Sequence, residues 1–341
     1  MSGNKLTELP SEIGDLKKLS RLDVSNNQLV SLPSSIQKLN QLESLYLSRN
    51  KFTELPSEIV DLKKLRSLAV SYNQLVSLPT SIQKLNQLQW LNLSGNKLTE
   101  LPSEIGDLKK LRGLDVSNNQ LVSLPISTLK LNKLEELDLD GNKLTELPAE
   151  IGDLKKLRML NVRYNQLVSL PISIQKLNQL EELHLDGNKL AELSSEIGDL
   201  KKLSWVNVSY NRLVSLPTSI QKLDQLEGLY LDGNKLTELP SEIGDLKKLW
   251  WLGVSNNQLV SLPTSIQKLN QLKELYLSGN KLTELSSEIV DLKKLRRLDV
   301  RGNPLPSDAI RVLEMKKKGI TSSVMVRSCR INTICIIEET I

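Results

Sequence analysis

The chain has 341 residues, enough for two ordinary globular domains, but its composition restricts what they can form. Hydrophobic residues make up 39% of the chain and aromatic residues only 3%, with a single phenylalanine, so any core must be aliphatic. Charged residues reach 25% and the formal net charge is +5. These values argue against a disordered chain and against a strongly basic nucleic-acid binder.

The chain is also poor in metal-ligating side chains. One histidine, His184, and two cysteines, Cys329 and Cys335, are too few for a histidine-cluster hydrolase, a structural zinc module or a disulfide-stapled domain. The first residues, MSGNKLTELP, lack a basic segment followed by an apolar run, so we predict no secretory signal. No stretch approaches 18 uninterrupted apolar residues, so we predict no membrane span.

A repeat of 23 residues runs through almost the whole chain. Each copy follows the pattern L-x-x-L-x-L/V-x-x-N-x-L-x-x-L-P-x-x-I-x-x-L-x-x. Twelve whole copies fill residues 19–294, and a partial copy lies at each end. Two versions alternate: a glutamine version, NQLVSLPTSIQKLNQ, and a lysine version, NKLTELPSEIGDLKK. The copied genetic unit is therefore predicted to be 46 residues long.

The spacing within each copy predicts a strand followed by a helical turn. In segments such as RLDV, alternate residues point to opposite faces, so Leu22 and Val24 should point inward and Arg21 and Asp23 outward. The L-P-x-x-I-x-x-L segment has apolar residues three or four apart, which predicts one short helical turn on the opposite side. Since no copy can bury its leucines alone, neighbouring copies must stack. The predicted fold is an α/β solenoid with a curved parallel sheet on its concave face and short helical or 3-10 turns on its convex face.

An asparagine at the end of each predicted strand suits this architecture. Asparagine tolerates turn conformations, and its amide can bond backbone groups of neighbouring copies in a buried ladder. The ladder is predicted to comprise Asn27, Asn50, Asn73, Asn96, Asn119, Asn142, Asn165, Asn188, Asn211, Asn234, Asn257, Asn280 and Asn303.

These motifs resemble the leucine-rich repeat family. The LPxxIxxLxxL segment at 23-residue spacing is similar to the intracellular Ras-group subclass, which includes the Ras suppressor protein, the erbin and scribble scaffolds and plant Ras-group proteins. The resemblance covers residues 4–306 and implies a protein-binding solenoid in intracellular signalling, with a small GTPase or a phosphatase complex among the partners that it suggests. The repeat serves many unrelated functions, so it is specific for the fold and weak for the partner.

A few positions depart from the family pattern. Serine replaces the proline at Ser194 and Ser286, and phenylalanine replaces a leucine at Phe52. Thr128 takes the place of the isoleucine, with Leu129 beside it. These irregularities favour a natural gene over an idealised consensus design.

The chain is predicted to divide into a repeat solenoid at residues 1–306, a capping helix at 307–319 and a short tail at 320–341. Ser307 suits the N-cap of the helix, Lys316 and its neighbours suit the C-terminal end of the helix dipole, and Gly319 suits the stop. The helix would cover the leucines of the last copy. The tail is apolar and β-prone, lacks the 23-residue pattern and is too short for a catalytic domain.

Aromatic residues concentrate at the outward positions of the predicted strands. The turn half of each copy hardly varies, whereas the outward strand positions vary strongly and hold all four tryptophans and all six tyrosines. Protein interfaces are enriched in these two residues. Four consecutive strands would place the densest group within about 15 Å. We predict a binding hot spot at Trp205, Tyr230, Trp250, Trp251 and Tyr276.

The predicted partner-binding surface also includes Trp90, His184 and an acidic group represented by Glu136, Asp138 and Glu182. An acidic field favours a basic partner surface and accelerates encounter with it.

A structural explanation of the aromatic residues is also open. Tyrosine and tryptophan fit the pleated surface of a strand. Gly113 lies beside Trp90 in the next predicted strand, and Gly228 lies between Trp205 and Trp251. The indoles would then lie over these glycines and cover exposed backbone. This interpretation and partner binding are compatible.

No catalytic, cofactor-binding or metal-binding residues are predicted. Carboxylates on a flat strand do not converge on one point as a calcium site requires. With one histidine and no phosphate-binding loop, the usual nucleophile and base arrangements are lacking. The lysine pairs are offset by acidic residues in the same copies, which predicts a solvated face without nucleic-acid binding.

The sequence therefore predicts a monomeric, cytoplasmic, non-enzymatic scaffold that binds a protein through its concave sheet. One alternative is the ligand-recognition segment of an immune-receptor-like or Roco-like multidomain protein. A second alternative is an orphan array with no cellular partner. The concentration of variable residues at outward positions argues against the second, because drift would scatter changes over both faces.

Overall fold

The computed structural model describes residues 1–285, 287–306 and 309, and the backbone of residues 336–338. The chain consists of two compact units, Met1–Leu167 and Val168–Ile341. The predicted capping helix at 307–319 and tail at 320–341 lie outside the described residues, apart from Ala309 and the strand Ile336–Glu338. Ser286 lies outside them as well.

In the first unit, three-residue strands alternate with five-residue 3-10 helices. The 3-10 helices are Ser11–Asp15, Ser34–Lys38, Ser57–Asp61, Thr80–Lys84, Ser103–Asp107, Ile126–Lys130 and Ala149–Asp153. The strands are β1 Arg21–Asp23, β2 Ser44–Tyr46, β3 Ser67–Ala69, β4 Trp90–Asn92, β5 Gly113–Asp115, β6 Glu136–Asp138 and β7 Met159–Asn161. Neighbouring strands pair in parallel and in chain order, each residue opposite its equivalent in the next copy.

The second unit repeats this arrangement. Its 3-10 helices are Ile172–Lys176, Ser195–Asp199, Thr218–Lys222, Ser241–Asp245, Thr264–Lys268 and Ser287–Asp291. Its strands are β8 Glu182–His184, β9 Trp205–Asn207, β10 Gly228–Tyr230, β11 Trp251–Gly253, β12 Glu274–Tyr276, β13 Arg297–Asp299 and β14 Ile336–Glu338. Strands β8 to β13 are parallel, and β14 pairs antiparallel with β13. The parallel strands and 3-10 turns confirm the predicted fold class.

Proline sets the start of most of the 3-10 helices. Pro79, with φ −71° and ψ 146°, precedes the helix Thr80–Lys84 in an extended conformation that the ring favours. Its carbonyl accepts the Ile82 N–H at 3.0 Å. Ser194, which stands at the proline position, has φ −66° and ψ 155° and begins a 3-10 helix in the same way. The turn therefore depends on the spacing of its apolar residues as well as on proline.

The core of each unit is a stack of aliphatic layers. The side chains are at most 1% exposed at Leu68, at Val70 and, in the 3-10 helix that follows, at Ile82. The same positions are buried throughout the described repeats. The departures from the pattern fit within this core: Phe52 and Thr128 are fully buried.

A buried asparagine ties each copy to the one before it. The Asn96 side-chain amide donates to the carbonyl oxygens of Val70 at 3.0 Å and Leu93 at 2.8 Å. Its Oδ1 atom accepts the Leu75 N–H at 3.0 Å. Because these backbone groups are shielded from water, each would be costly to leave unpaired. Equivalent bonds recur at the other ladder positions of each unit.

The alternation of two repeat versions creates two kinds of junction between copies. At several junctions where a lysine version precedes a glutamine version, the 3-10 helices approach closely: a Cβ atom on Gly198 would lie 2.4 Å from the Ser219 carbonyl oxygen. Val60 takes the glycine position in the helix Ser57–Asp61, so not every junction of this kind requires glycine. The Ser219 hydroxyl donates to the Ser195 carbonyl oxygen at 2.7 Å. The same close approach to the following glutamine version occurs at Gly14, Gly106 and Gly244.

The opposite junction uses a lysine–glutamine hydrogen bond. At five junctions where a glutamine version precedes a lysine version, the lysine ammonium donates to the glutamine Oε1 atom of the previous copy. This bond joins Lys64 to Gln41, Lys110 to Gln87, Lys202 to Gln179, Lys248 to Gln225 and Lys294 to Gln271. Before Lys156 the glutamine is replaced by Lys133. Two lysine versions in succession would place like charges side by side.

We expect Asn96→Ala to lower the free energy of unfolding by roughly 2–4 kcal/mol, because it leaves several buried backbone groups unpaired. Asn86→Ala is the matched control, since Asn86 is exposed on the other side of the copy and should cost about 0.5 kcal/mol or less. Urea denaturation followed by circular dichroism measures both. Equal losses in the two variants would contradict the role of the ladder.

Deletion of single and paired copies tests the two junctions. Removing residues 211–233 joins two lysine versions, whereas removing residues 211–256 keeps the alternation intact. We expect the shorter deletion to lower the urea midpoint more than the longer one, although it removes half as many residues. If stability simply follows the number of copies that remain, the account of the junctions is wrong.

Candidate protein-interaction surface

In each unit, the outward side of the strands forms one surface, the sheet face, and the 3-10 helices form another, the turn face. On β10, Leu229 points into the core and is fully buried, while Gly228 and Tyr230 lie on the sheet face. The side chains of a strand alternate between the two sides, so every strand offers only a few positions to the sheet face.

Large and small residues alternate across the sheet face of the second unit. The register places Trp205, Gly228 and Trp251 side by side on β9, β10 and β11. A Cβ atom on Gly228 would lie 2.3 Å from the Trp205 ring, so the indole lies directly over the glycine. Trp90 covers Gly113 in the same way in the first unit, where the corresponding distance is 2.1 Å. The indoles therefore do cover glycine backbone, as the structural explanation requires.

Five rings of the second unit form one connected group, the aromatic patch, consisting of Trp205, Tyr230, Trp250, Trp251 and Tyr276. The Trp251 ring centroid lies 4.7 Å from Tyr276, 5.6 Å from Tyr230 and 6.0 Å from Trp250. Trp205 stacks on Tyr230 at 6.0 Å and meets Trp250 edge to face at 5.6 Å. These are favourable geometries for aromatic pairs, and all five side chains remain half-buried rather than enclosed in the core.

Charged side chains border the aromatic patch on β12 and β13. The Tyr276 hydroxyl donates to the Glu274 carboxylate. The Arg297 guanidinium lies 5.2 Å from the centre of the Tyr276 ring, and the Lys273 ammonium lies 5.6 Å from that of Trp250. Burial raises the pKa of Tyr276, and the bond to Glu274 raises it further. The hydroxyl therefore stays protonated, a donor, at neutral pH.

On β10 the patch meets an acidic side chain. The Ser255 N–H donates to Asp232 Oδ1 at 2.7 Å, and a Cβ atom on Gly253 would lie 2.6 Å from Asp232 Oδ2. Burial raises the pKa of Asp232. The pKa of Tyr230 is raised by burial and by the nearby negative charges of Glu274 and Asp232.

The predicted surface is only partly brought together. The five residues of the aromatic patch are in contact. His184 and Glu182 belong to the same unit, on β8, where His184 Nε2 lies 3.3 Å from Glu182 Oε2. Trp90, which is 42% exposed, and the acidic pair Glu136 and Asp138 belong to the first unit.

Asp138 is the most constrained member of the acidic group. Its Oδ1 atom accepts the Asp140 N–H at 3.0 Å and its Oδ2 atom accepts the Asn161 side-chain amide at 3.2 Å. Burial raises its pKa, with a smaller contribution from the charge of Asp115, and the two hydrogen bonds only partly oppose this. The acidic group thus includes a carboxylate that is unfavourable to ionise in the free protein.

Sequence reasoning missed Lys273, Glu274 and Arg297 as parts of the surface, although the acidic group that it identified extends to Asp232. A comparison of equivalent outward positions on β11 to β13 would have found the three, because each lies on or next to a strand that neighbours a patch residue. In the described part of the chain, no group of three or more histidine, cysteine, aspartate or glutamate side chains is arranged to hold a metal ion. No helix there is long and apolar enough to cross a membrane.

We expect Asp138→Asn to raise the urea midpoint at about pH 7 and to have little effect at about pH 3. A carboxyl group whose pKa is raised by folding favours the folded state only while protonated, so this contribution is lost as the pH rises through the raised pKa. Glu136→Gln, an exposed neighbour on the same strand, should change neither midpoint. A lower midpoint for Asp138→Asn at neutral pH would contradict the account.

Comparisons with known proteins agree with this architecture. A family model described as leucine rich repeat matches residues 1–52, 41–98, 132–190, 201–259 and 254–305, and one described as leucine-rich repeat region matches residues 80–144. No curated protein matches the chain.

Several solved structures are similar. The leucine-rich repeat protein LIC12759 of Leptospira interrogans is 41% identical, with a TM-score of 0.89 over 93% of this chain and 80% of that one. The plant peptide hormone receptor RGFR1, solved in complex with RGF2, is 28% identical with a TM-score of 0.70; the match covers 87% of this chain but only 57% of the receptor. The internalin InlF of Listeria monocytogenes, at 23% identity and a TM-score of 0.77 over 87% and 84% of the two chains, shares the fold.

Family models that together match most of the chain, and a relative with 41% identity, establish what the repeat pattern indicated. The chain belongs to the leucine-rich repeat family, whose domains generally act as non-enzymatic modules for protein–protein interaction.

Proposed function

We propose that the protein is a non-enzymatic scaffold that binds a protein partner through the sheet face, with the aromatic patch as its energetic centre. The observation that carries the proposal is the patch itself: five contacting rings outside the leucine core, half-exposed, on a rigid sheet. Tyrosine and tryptophan dominate binding hot spots. Because the rings are already packed against one another, little side-chain entropy is lost on binding.

The covering of glycine backbone does not remove the need for a partner. Trp205 covers Gly228, yet Trp250 and Tyr276 cover no glycine and are still held at the surface. A contiguous aromatic surface in water is unfavourable unless something shields it. Partner binding explains the rings that cover no glycine backbone.

The proposed setting is intracellular signalling in the cytoplasm, with the chain acting as a monomer. What supports it is the LPxxIxxLxxL motif at 23-residue spacing, which is similar to the Ras-group subclass. By that resemblance, a small GTPase or a phosphatase complex is the proposed class of partner.

A second candidate is the ligand-recognition segment of a larger receptor, such as an immune-receptor-like or Roco-like multidomain protein. It is favoured by the similarity to plant receptors that were solved with peptides, including RGFR1, of which this chain covers little more than half. A nucleotide-binding, GTPase or death domain encoded in the same gene would favour this candidate over the scaffold.

We expect Trp205→Ala, Trp251→Ala and Tyr276→Ala each to weaken partner binding by at least ~1–2 kcal/mol. The test is affinity capture from an extract of the source cells, followed by titration of the captured protein against wild type, single variants and the triple variant. Circular dichroism and the urea midpoint verify that each variant folds.

Tyr210→Ala is the matched control. Tyr210 is an aromatic residue of the same unit, 60% exposed, and contacts none of the patch rings. It should bind as wild type does. Undiminished binding by the folded triple variant would refute the patch as the binding centre.

A further inference from the structure

The sheet face of the second unit separates its charges by sign. The outward positions on and next to strands β8 to β10 carry five acidic residues: Glu181, Glu182, Asp186, Glu227 and Asp232. Strands β12 and β13 present four basic residues, Lys273, Arg296, Arg297 and Arg301, against two acidic ones, Glu274 and Asp299. The aromatic patch lies on β9 to β12, so the order across the strands is acidic, aromatic, basic.

The basic side keeps its net positive charge when its one buried ion pair is left out of the count. Asp299, which is almost fully buried, is bonded by the Arg301 guanidinium, so these two charges neutralise each other. Arg297 and Lys273 lie over the Tyr276 and Trp250 rings. Across the strands, Arg297 stands opposite Glu274 on β12 and Glu338 on β14.

A depression on the acidic side offers room for a long side chain. Ser204, the residue before β9, lies between Glu181 and Glu227 in the backbone hydrogen-bond ladder. Its hydroxyl donates to the Glu181 carbonyl oxygen at 3.0 Å and therefore leaves the space above it open. The depression has a volume of about 520 Å³ and is lined by Glu181, Lys201, Lys202, Ser204, Gln225 and Glu227.

The two lysines of the rim are already committed within the turn face. The Lys201 ammonium donates to the carbonyl oxygens of Gly198 at 2.9 Å and Lys222 at 3.2 Å. The Lys202 ammonium donates to Gln179 Oε1 at 2.6 Å. Both ammonium groups therefore already have acceptors within the protein.

We infer that the partner segment bound by the aromatic patch is bipolar: basic over β8 to β10, apolar or aromatic over β9 to β12, and acidic over β12 and β13. This rests on the proposed function and adds the chemistry of the partner and its orientation. A uniformly basic segment would be repelled by Lys273, Arg296 and Arg297, and a uniformly acidic one by Glu182 and Glu227. Only a segment of mixed charge meets both ends favourably.

The length of such a segment follows from the strand spacing. From β8 to β13 there are five intervals of ~4.8 Å, about 24 Å in all, which an extended peptide of about eight residues spans at ~3.3 Å per residue. The probes are therefore three labelled peptides of about ten residues with the same Leu-Pro-Tyr-Pro centre. One carries arginines at one end and glutamates at the other, one carries arginines at both ends, and one carries glutamates at both ends.

We expect the mixed peptide to bind the full chain at least ~threefold more tightly than either uniform peptide at low ionic strength, as measured by fluorescence anisotropy. Raising the salt concentration should narrow the difference, because the charges at the surface are screened. If the mixed peptide binds no better than both uniform peptides, or does not bind at all, the inference is overturned. A second copy of the chain on the sheet face, detected as a dimer by sedimentation, would overturn it too.

Charge-neutralising variants locate the two ends. The double variant Glu182→Gln, Glu227→Gln should lower the affinity for the mixed peptide about three- to tenfold. The same variant should improve binding of the glutamate peptide relative to the mixed peptide. The double variant Lys273→Gln, Arg297→Gln should also weaken binding of the mixed peptide, but should improve binding of the arginine peptide relative to it. Glu238→Gln with Glu284→Gln is the matched control, because both residues are exposed on the same unit away from the sheet face.

The two proposals fail in different ways. If the triple aromatic variant abolishes partner binding while the charge variants leave all peptide and partner affinities unchanged, the patch binds but the partner is not bipolar. If the charge variants act and the aromatic variants do not, the proposed binding centre is wrong.

Discussion

The buried asparagine of each copy is the interaction on which the rest of the structure depends. A strand of three residues is too short to form a sheet independently, and a single copy has too few leucines to bury its own backbone. The asparagine amide satisfies carbonyl groups from two successive copies while its oxygen accepts an N–H from the earlier one. Because this polar requirement is met from inside, the outward strand positions are free to vary without loss of the fold.

The turn face and the sheet face differ in how far their residues can vary. The turn face is constrained by the contacts between copies: glycine where two 3-10 helices approach closely, and lysine opposite glutamine at the next junction. The sheet face has no such pairing rule, although a glycine lies under some of its rings, as under Trp90 and Trp205. Aromatic and charged residues therefore accumulate on the sheet face, and in the second unit they form a contiguous surface with opposite charges on its two sides.

The period of 23 residues was enough to predict the strands, the turns and the inward leucines, because hydrophobic spacing determines which residues share a face. It was also enough to predict that Trp205, Trp251 and Tyr276 would lie together, since the register of a parallel sheet follows from the period. The contacts at the two kinds of junction could not be predicted, because they depend on the distance between neighbouring turns. The same limit hid the bond between Tyr276 and Glu274 and the burial of Asp138, which depend on side-chain directions rather than on spacing.

The central claim is that the sheet face of the second unit contacts a protein partner. The most direct measurement is photo-crosslinking with benzoyl-phenylalanine placed at Tyr230 in the aromatic patch or at Ile172, an exposed residue of the turn face. In an extract of the source cells, the account predicts that the variant labelled at position 230 crosslinks to a single partner. The variant labelled at position 172 should not crosslink to that partner. Crosslinking of the same partner at position 172 only, or at neither position while affinity capture still recovers it, would contradict the claim.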